Sequence, residues 1–542
     1  MQGNDLENLR WWQTRRFVAF AALVAMVPLV WPEIPPLVDL PGHLGRYRVQ
    51  LAVANTPHLA NWYDFQWSVI GNLGIDLLII PLAPIFGLEL AVKLIVMATP
   101  ALTVTGLLWI AREVHGRIPA TALFALPLAY SYPFHFGFVN FALSMAIALN
   151  AFALWLRLAR LGRLKLRMAI FVPLSCGLWV CHTFGWAVLG VLAFSGEMIR
   201  QHDRLPETAK GWRDRAHHWL GAWFRAGIGC VPLLLPLLAM IAWRSGDHVT
   251  GKTLDWFNWD AKFSFLGMVL RDRWEVFDIS STVLLYIVLI KGLRDPNIEY
   301  SRNLGLSALF LLAAFLVLPR VVFGSAYADM RLAPFVVAIA IIAIRPRIGL
   351  SMRGATTLAL VGLSFFLVRI GANTASFWLY DQAYDRELAA LKHIPRGARL
   401  VTFVGRGCRD DWLMSRLEHL PAIALERNLA YANDQWSMAG AQMLTTRYLP
   451  AGFFAHDPSQ IVTEVKCRGE WWRPISRSLA LLPRDAFDYV WLIRPPAHDP
   501  ALEAGLVPIW REGTSTLFRI DHRQPGPPPP PPLPALPNRR PS

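Results

Sequence analysis

Long apolar runs recur through the first 372 residues, and they constrain the fold more than any other feature of the chain. The candidate membrane spans are residues 15–31, 68–87, 89–111, 119–133, 137–157, 168–181, 183–199, 226–243, 279–293, 303–323, 332–344 and 354–372. A helix that crosses a bilayer needs about 20 apolar residues. Because several of these runs are shorter, the sequence predicts about ten to twelve spans.

Basic clusters between the apolar runs give the chain its orientation. Charged residues make up 17% of the chain, whereas a soluble domain carries about 25%. The net charge of +15 comes largely from short loops such as RLARLGRLKLR at 157–167. This pattern is typical of cytoplasmic loops and argues against nucleic acid as a partner. All basic clusters can lie on the cytoplasmic side of the membrane only if residues 68–111 cross it once in total. The sequence therefore predicts that 68–87 is a re-entrant or interfacial helix.

The chain divides into three parts. Residues 1–375 are predicted to form a polytopic α-helical transmembrane domain, with a first outer loop at 32–67. Residues 376–522 are predicted to form an extracytoplasmic α/β domain, with strands at ARLVTFV, DYVWLI, LVPIW and STLFRI. Residues 523–542 form a Pro-rich tail that we expect to be disordered. Cys408 and Cys467 can pair if this domain lies in an oxidising compartment.

The first outer loop contains a group of polar residues at helical spacing. In LVDLPGHLGRYRVQ, Asp39, His43 and Arg46 stand at i, i+4 and i+7, on one side of any helix that forms there. Asp39 suits a helix N-cap, with His43 as an interfacial residue and Arg46 snorkelling. It also suits a general base or a metal ligand, because an ionisable group at the membrane rim needs a partner or a function.

Other polar residues in the predicted outer loops and turns also allow either a structural or a functional role. Asp76 stands at the head of an apolar run, as a cap, a salt-bridge partner or a functional carboxylate. Asp64 lies between aromatic residues in a loop. His135 and His182 fall at outward turns, where a histidine is either a satisfied hydrogen-bonding group or a ligand.

A second group lies in LPRVVFGSAYADMRLAPF, at the turn between two later runs. It places Arg320, Tyr327, Asp329 and Arg331 close together in the chain. Arginine binds phosphate through forked hydrogen bonds, which suits a lipid headgroup. The alternatives are an internal Asp329–Arg331 pair and ordinary headgroup anchoring.

These stretches together resemble the GT-C superfamily of membrane glycosyltransferases, in particular bacterial GT-C-like proteins with Asp-x-Pro-x-His in the first outer loop. The matching stretches are DLPGH, NLGIDLLIIPLAPIFG, AVKLIVMATPALTVTGLLWIAREVHG, GFVNFALSMAIAL, CHTFGWAVLG and ADMRLAPF, in order across 15–345. The resemblance implies transfer of a sugar from a polyprenyl-phosphate-linked donor to an acceptor on the outer face. It further implies the bacterial inner membrane, with the N-terminus in the cytoplasm and the C-terminal domain outside.

The resemblance also implies roles for individual residues. Asp39 matches the catalytic position, and Arg331 and Arg320 match the groups that hold the lipid phosphate. A second adjacent carboxylate is missing because Leu40 follows Asp39, so Asp64 or Asp76 stands in for it. The expected substrate-binding residues are His43, Arg46, His182, Arg320, Tyr327, Asp329 and Arg331.

The chemistry requires a carboxylate base for the acceptor hydroxyl and positive charge near the leaving phosphate. A divalent cation, held by Asp39 and His43, is an optional addition, and no cofactor is certain. Two other functions stay open. One is a non-enzymatic transporter or scaffold for envelope glycolipids, and the other is a polysaccharide polymerase or ligase.

Overall fold

The structure is a computed structural model of the 542-residue chain. It describes residues 9–204, 211–244, 252–322, 324–347, 352–408, 412–437, 442–468, 470 and 472–527. The predicted Pro-rich tail lies outside the described residues from position 528 onward.

Most of the described chain is helical. The α-helices before the C-terminal region are α1 (Arg15–Met26), α2 (Leu40–Ala52), α3 (Pro57–Trp62), α4 (Gly74–Phe86), α5 (Leu88–His115), α6 (Tyr132–Phe136), α7 (Val139–Arg160), α8 (Leu164–Cys181), α9 (Thr183–His202), α10 (Trp212–Gly229), α11 (Leu235–Arg244), α12 (Trp259–Gly267), α13 (Glu275–Arg294), α14 (Arg302–Val317), α15 (Ala333–Ile342) and α16 (Met352–Leu388). Two short helices follow, α17 (Ala422–Asn428) and α18 (Ile475–Leu481).

Five helices in the described chain have the length and composition of a membrane span, namely α5, α7, α8, α13 and α16 with its 3-10 extension. The bent pair α10 and α11 raises the number to six if it is one broken span. The prediction of a helical chain with several apolar candidate spans is therefore confirmed. The count of ten to twelve is not, because α4, α14 and α15 are apolar but only 10–17 residues long.

The segment 119–133 shows why counting apolar runs overstates the number of spans. It folds as a 3-10 helix, Ala120–Tyr130, followed by the five-residue α6. Pro127 inside the segment removes a backbone donor. A 3-10 helix rises about 2.0 Å per residue, so eleven residues reach about 22 Å, short of a hydrocarbon core of about 30 Å. All eleven residues are buried, so this apolar run is an internal core element.

The helix at 68–87 begins later than predicted and is short. The described helix is α4, with 13 residues, and Gly87 separates it from α5 with a φ of +79°. Its length is below the roughly 20 residues of a full span. Leu77, Ile80 and Ile85 of α4 are exposed, so part of its apolar surface is uncovered within the described residues.

The C-terminal region contains the predicted sheet. The strands in chain order are β1 (Tyr63–Phe65), β2 (Ile298–Tyr300), β3 (Ile344–Pro346), β4 (Leu400–Gly405), β5 (Leu444–Thr446), β6 (Ile461–Thr463), β7 (Arg473–Pro474), β8 (Tyr489–Ile493), β9 (Leu506–Glu512) and β10 (Ser515–Ile520). Six of them form one mixed sheet in the order β7-β6-β4-β8-β10-β9. All four predicted strands are present, as β4, β8, β9 and β10.

The first outer loop is built into the C-terminal region. Strand β1 pairs antiparallel with β5, so Tyr63 stands opposite Thr446. Val49, Leu59 and Trp62 belong to the hydrophobic core that lies under the sheet. Helix α16 continues without a break through position 375, where the sequence had predicted a domain boundary. The two parts of the chain are therefore joined by a shared core and by one continuous helix.

The structure resolves the cysteine pairing that the sequence left open. Cys408 and Cys467 form a disulfide that closes a separation of 59 residues between β4 and β7. Cys176, Cys181 and Cys230 are free and lie in or beside apolar helices.

Candidate functional site

The candidate site begins where α2 starts. Pro41 occupies the first turn of α2, where its missing N–H breaks no helical bond. Asp39 precedes the helix, and its backbone N–H donates to the carbonyl of Phe136 at 3.0 Å. Its side chain makes no capping bond. No hydrogen bond to this carboxylate is present within the described residues, so it stays available as an acceptor.

Three glycines allow the close packing around Asp39. A Cβ on Gly137, which has a φ of +95°, would lie 2.7 Å from the backbone nitrogen of Asp39. A Cβ on Gly42 would lie 2.7 Å from the indole ring of Trp436. A Cβ on Gly45 would lie 2.8 Å from the amide nitrogen of Gln435. The glycines of DLPGHLG thus let the first turns of α2 approach the C-terminal region closely.

The surroundings of Asp39 make its carboxyl a weak acid. Burial raises the pKa of Asp39 to about 7, with further raising by the negative charges of Glu418 and Asp457. His419 and Arg331 act in the opposite direction, because their positive charges favour the carboxylate. At neutral pH this carboxyl therefore exchanges its proton readily, as a general base must.

His419 is the centre of a charged cluster that the C-terminal region supplies. Its Nδ1 lies 3.1 Å from the carbonyl of Asp434, and its Nε2 lies 3.9 Å from the carboxylate of Asp457. Burial alone lowers the pKa of His419, but the charges of Asp457, Asp39, Asp434 and Glu418 outweigh burial and raise it. Burial also raises the pKa of Asp434 to about 7.

The rings of His43, Trp436 and His419 form a packed row on the first turn of α2. The centroids of His43 and Trp436 are 5.0 Å apart, and those of Trp436 and His419 are 4.5 Å apart. Burial lowers the pKa of His43 well below its usual range, and Arg46 lowers it further. His43 is therefore neutral at pH 7.

Arg331 lies near enough to Asp39 for their charges to interact. Its guanidinium stacks on Phe138 at 4.2 Å from the ring centroid and donates to the hydroxyl of Ser325 at 3.2 Å. Burial lowers the pKa of Arg331 to about 10, and the charge of Asp39 partly reverses this effect. The structure thus brings the early aspartate and the late arginine into electrostatic contact.

His182 lies close to Arg331. It is the N-cap residue of α9, and its Nδ1 accepts from the backbone N–H of Phe184 at 3.1 Å. Burial lowers its pKa well below the usual range, and Arg331 lowers it further. The chain breaks between α8 and α9 at His182, as predicted from CHTFG.

The structure gives Asp76 and Arg46 a structural role. Arg46 donates to both carboxylate oxygens of Asp76, at 2.5 and 3.2 Å, and both side chains are buried. Asn140 also donates to Asp76, at 3.0 Å, while its own carbonyl oxygen accepts from the backbone of Ile75. Of the interpretations given for Asp76, the salt-bridge partner is therefore the one that the structure shows. We do not retain Asp76 or Arg46 as reacting groups.

Asp64 and Asp329 are also paired elsewhere. Asp64 lies on β1 and pairs with Arg447 at 2.5 Å, so it joins the outer loop to the C-terminal region. Asp329 is fully buried and pairs with Lys262 at 3.2 Å. The internal pair that the sequence suggested between Asp329 and Arg331 is not the one formed, because the Lys262 ammonium reaches the carboxylate from α12.

A cavity of about 620 Å³ lies beside Asp39, between outer turns of the helical region and the C-terminal region. The cavity lining includes Val38, which precedes Asp39 in the chain, and Phe136, whose carbonyl accepts from the Asp39 backbone. Glu418 also lines the cavity. Arg320 and Tyr327 line it as well. The Arg320 guanidinium lies 5.1 Å from the Tyr327 ring centroid and 3.8 Å from Asp255.

His135 belongs to a buried ion network behind this cavity. Its Nδ1 lies 3.0 Å from Arg416, which donates to Asp272 at 2.5 Å. His135 is therefore hydrogen-bonded through Nδ1, while its Nε2 is buried and has no hydrogen-bond partner within the described residues.

The sequence did not identify the contribution of the C-terminal region. Glu418, His419, Asp434 and Asp457 lie in loops and look like ordinary solvated residues in the chain. The motif YANDQW combined an acid with an aromatic residue, but nothing in its spacing indicated that it would pack on α2. The residues present also do not provide a metal site of the expected kind. Within the described residues no group of three or more His, Cys, Asp or Glu side chains is arranged to hold a metal, so we derive no step through a cation.

Comparison with known families gives no assignment. Neither models of known protein families nor curated protein sequences match this chain.

Proposed function

We propose that this protein is a GT-C-type membrane glycosyltransferase in which Asp39 is the general base. The observation that carries the proposal is the uncommitted Asp39 carboxyl, with its pKa raised to about 7, opposite Arg331 and beside a cavity of about 620 Å³. The donor is a polyprenyl-phosphate-linked sugar, and the reaction takes place on the extracytoplasmic face of the membrane.

The geometry supports a direct displacement. The Asp39 carboxylate accepts the proton of the acceptor hydroxyl as that oxygen attacks the anomeric carbon of the donor sugar. The bond between that carbon and the phosphate oxygen breaks, and the phosphate leaves as an anion. Arg331 faces this charge from a buried position, where a fixed cation stabilises it more than it would in water. The positive charge of His419 lowers the pKa of Asp39 and so favours its ionised form, against the larger effect of burial.

Two features support the proposed sidedness and lipid access. The Cys408–Cys467 disulfide suits an oxidising compartment outside the cytoplasm. Trp256, Phe257 and Trp259 are about half exposed, at 52, 50 and 49%, directly beside Asn258 and Asp260 of the cavity lining. Aromatic side chains collect at the membrane–water interface, so this segment suits contact with lipid at the mouth of the cavity.

The decisive experiment compares two aspartate variants in reconstituted vesicles supplied with polyprenyl-phosphate sugars. Asp39→Asn keeps the size of the side chain but removes the base, so turnover should fall by about 10²–10⁴-fold. Asp64→Asn, on the same loop but paired with Arg447, should retain the wild-type rate. Wild-type turnover by Asp39→Asn would exclude the assignment.

The same assay separates the other functions. Lipid binding or movement without any turnover would indicate a transporter or scaffold. Product length distinguishes a single transfer from a polymerase or ligase.

A further inference from the structure

The cavity beside Asp39 is lined by an unusual number of guanidinium groups. The lining arginines are Arg271, Arg320, Arg406, Arg416 and Arg494. They come from both parts of the chain, two from outer turns of the helical region and three from the C-terminal region. A volume of about 620 Å³ lies within the range of about 300–1,000 Å³ that ligand sites occupy.

Aromatic rings fix the orientation of four of these groups. The distances from guanidinium carbon to ring centroid are 5.0 Å for Arg271 on Tyr132, 5.1 Å for Arg320 on Tyr327, 4.4 Å for Arg406 on Trp472 and 4.4 Å for Arg416 on Tyr380. A guanidinium stacked on a ring presents its N–H donors at the edge of its plane. Tyr132, Tyr327, Tyr380 and Trp412 line the cavity too and offer flat apolar surface.

Arg416 provides the clearest sign of a missing acceptor. It is 1% exposed, and one of its nitrogens is bonded to Asp272 and His135. Its Nε and Nη1 have no hydrogen-bond partner within the part of the chain that the structure describes. Both nitrogens are buried, so they add incompletely compensated positive charge to this wall of the cavity, which favours a bound oxyanion.

The acidic neighbours limit how much negative charge the cavity can take. Arg320 lies 3.8 Å from Asp255, Arg494 lies 3.3 Å from Glu387, and Arg406 pairs with Glu418. The cavity is therefore lined by several guanidinium groups but carries little excess positive charge. This suits a ligand with one or two oxyanions rather than a polyanion.

We propose that this cavity is the acceptor subsite and that it binds a saccharide carrying a carboxylate or a phosphate. The inference rests on the proposed function, in which Arg331 holds the phosphate of the lipid donor. Aromatic faces pack against the sugar rings, and the arginine edges bind the oxyanion. Val38 and Phe136 bring one wall of the cavity within a residue of Asp39, where the acceptor hydroxyl has to lose its proton.

Binding to the purified full-length protein in nanodiscs tests this without turnover. The probes are a trisaccharide with a single hexuronic acid residue, a neutral trisaccharide of the same length, inorganic phosphate and a short-chain polyprenyl phosphate. We expect the acidic trisaccharide to bind at least tenfold more tightly than the neutral one. Arg406→Gln and Arg320→Gln should each weaken it at least tenfold, because both groups line the cavity and are partly exposed. Arg447→Gln is the matched control and should leave binding unchanged, since Arg447 lies outside the cavity lining.

Each outcome separates the inference from the proposed function. Equal binding of acidic and neutral trisaccharides overturns the inference. It is also overturned if Arg406→Gln and Arg320→Gln abolish binding of the polyprenyl phosphate but not of the saccharide, because the cavity is then the donor site. Tight and arginine-dependent binding of the acidic trisaccharide, with no transfer from any polyprenyl-phosphate sugar, supports the subsite and rejects the transferase.

Discussion

Replacing Asp39 by asparagine should stabilise the folded protein at high pH, although it removes the proposed base. The folded protein holds this carboxyl at a pKa of about 7, against an ordinary value of 3.8. One pKa unit corresponds to about 1.36 kcal/mol, so charging Asp39 in the folded protein costs at most about 4 kcal/mol. Asparagine has a similar size and is equally suited to the start of a helix, but it carries no charge.

The sign of the pH dependence follows from proton binding. Between pH 3.8 and about 7 the folded protein keeps a proton on Asp39 that the unfolded chain has lost. The wild-type free energy of unfolding therefore falls as the pH rises through this window, and the full cost is reached above pH 7. The variant lacks this group, so its advantage over wild type should grow by up to about 3 kcal/mol between pH 4.5 and pH 8.

The assay is denaturant unfolding of the full chain in detergent, followed by tryptophan fluorescence, with wild type and variant at both pH values. Asp76→Asn is the matched control, because it removes a carboxylate that pairs with buried Arg46. Breaking a buried pair destabilises by about 3–5 kcal/mol, so this variant should be less stable than wild type. If Asp39→Asn is no more stable than wild type at pH 8, or gains equally at both pH values, Asp39 does not lie in the desolvated site described above.

Three further changes test the same region. His419→Gln removes a positive charge near Asp39, so the acidic limb of the pH–rate profile should move to higher pH; a purely structural role would lower the rate without moving the limb. Cys467→Ser opens the link to Cys408 across 59 residues and should cost about 2–4 kcal/mol of unfolding free energy, measured by denaturant titration. Gly42→Ala places a Cβ 2.7 Å from an indole ring and should cost about 1–3 kcal/mol and reduce turnover; wild-type stability and rate would contradict the close packing.

Local patterns in the sequence were sufficient to predict several strands and turns. The four strands β4, β8, β9 and β10 are rich in β-branched and aromatic residues and end at turn residues. The turn at His182 likewise followed from the local pattern of the chain, whereas the pairing of Cys408 with Cys467 was only one possibility. The arrangement of Asp39 before a helix that begins at Leu40 follows from Pro41 and the spacing of DLPGH.

Features that depend on long-range packing were not predictable in the same way. An apolar run has the same composition whether it faces lipid or other helices, which is why Ala120–Tyr130 was taken for a span. The sequence left Asp76 as a cap, a salt-bridge partner or a functional carboxylate, because a carboxylate in an apolar run is costly without a partner. The family resemblance added the role of a substitute catalytic group. Its partner proved to be Arg46, thirty residues earlier in the chain. The argument that the Asp76 carboxylate needs a partner was therefore correct, and the partner is the structural ion pair with Arg46.

The position of the C-terminal region decides what Asp39 can do. Asp39 obtains a pKa near 7 from the balance between burial and four charged neighbours, of which Glu418, His419 and Asp457 come from that region and only Arg331 from the outer turns. Trp436 and His419 pack directly on the first turn of α2, against a glycine that leaves no space for a side chain. The C-terminal region therefore sets the acidity of the proposed base and also forms one wall of the cavity beside it. A protein in which it is displaced from α2 should lose both properties together, even with every residue of the outer loop intact.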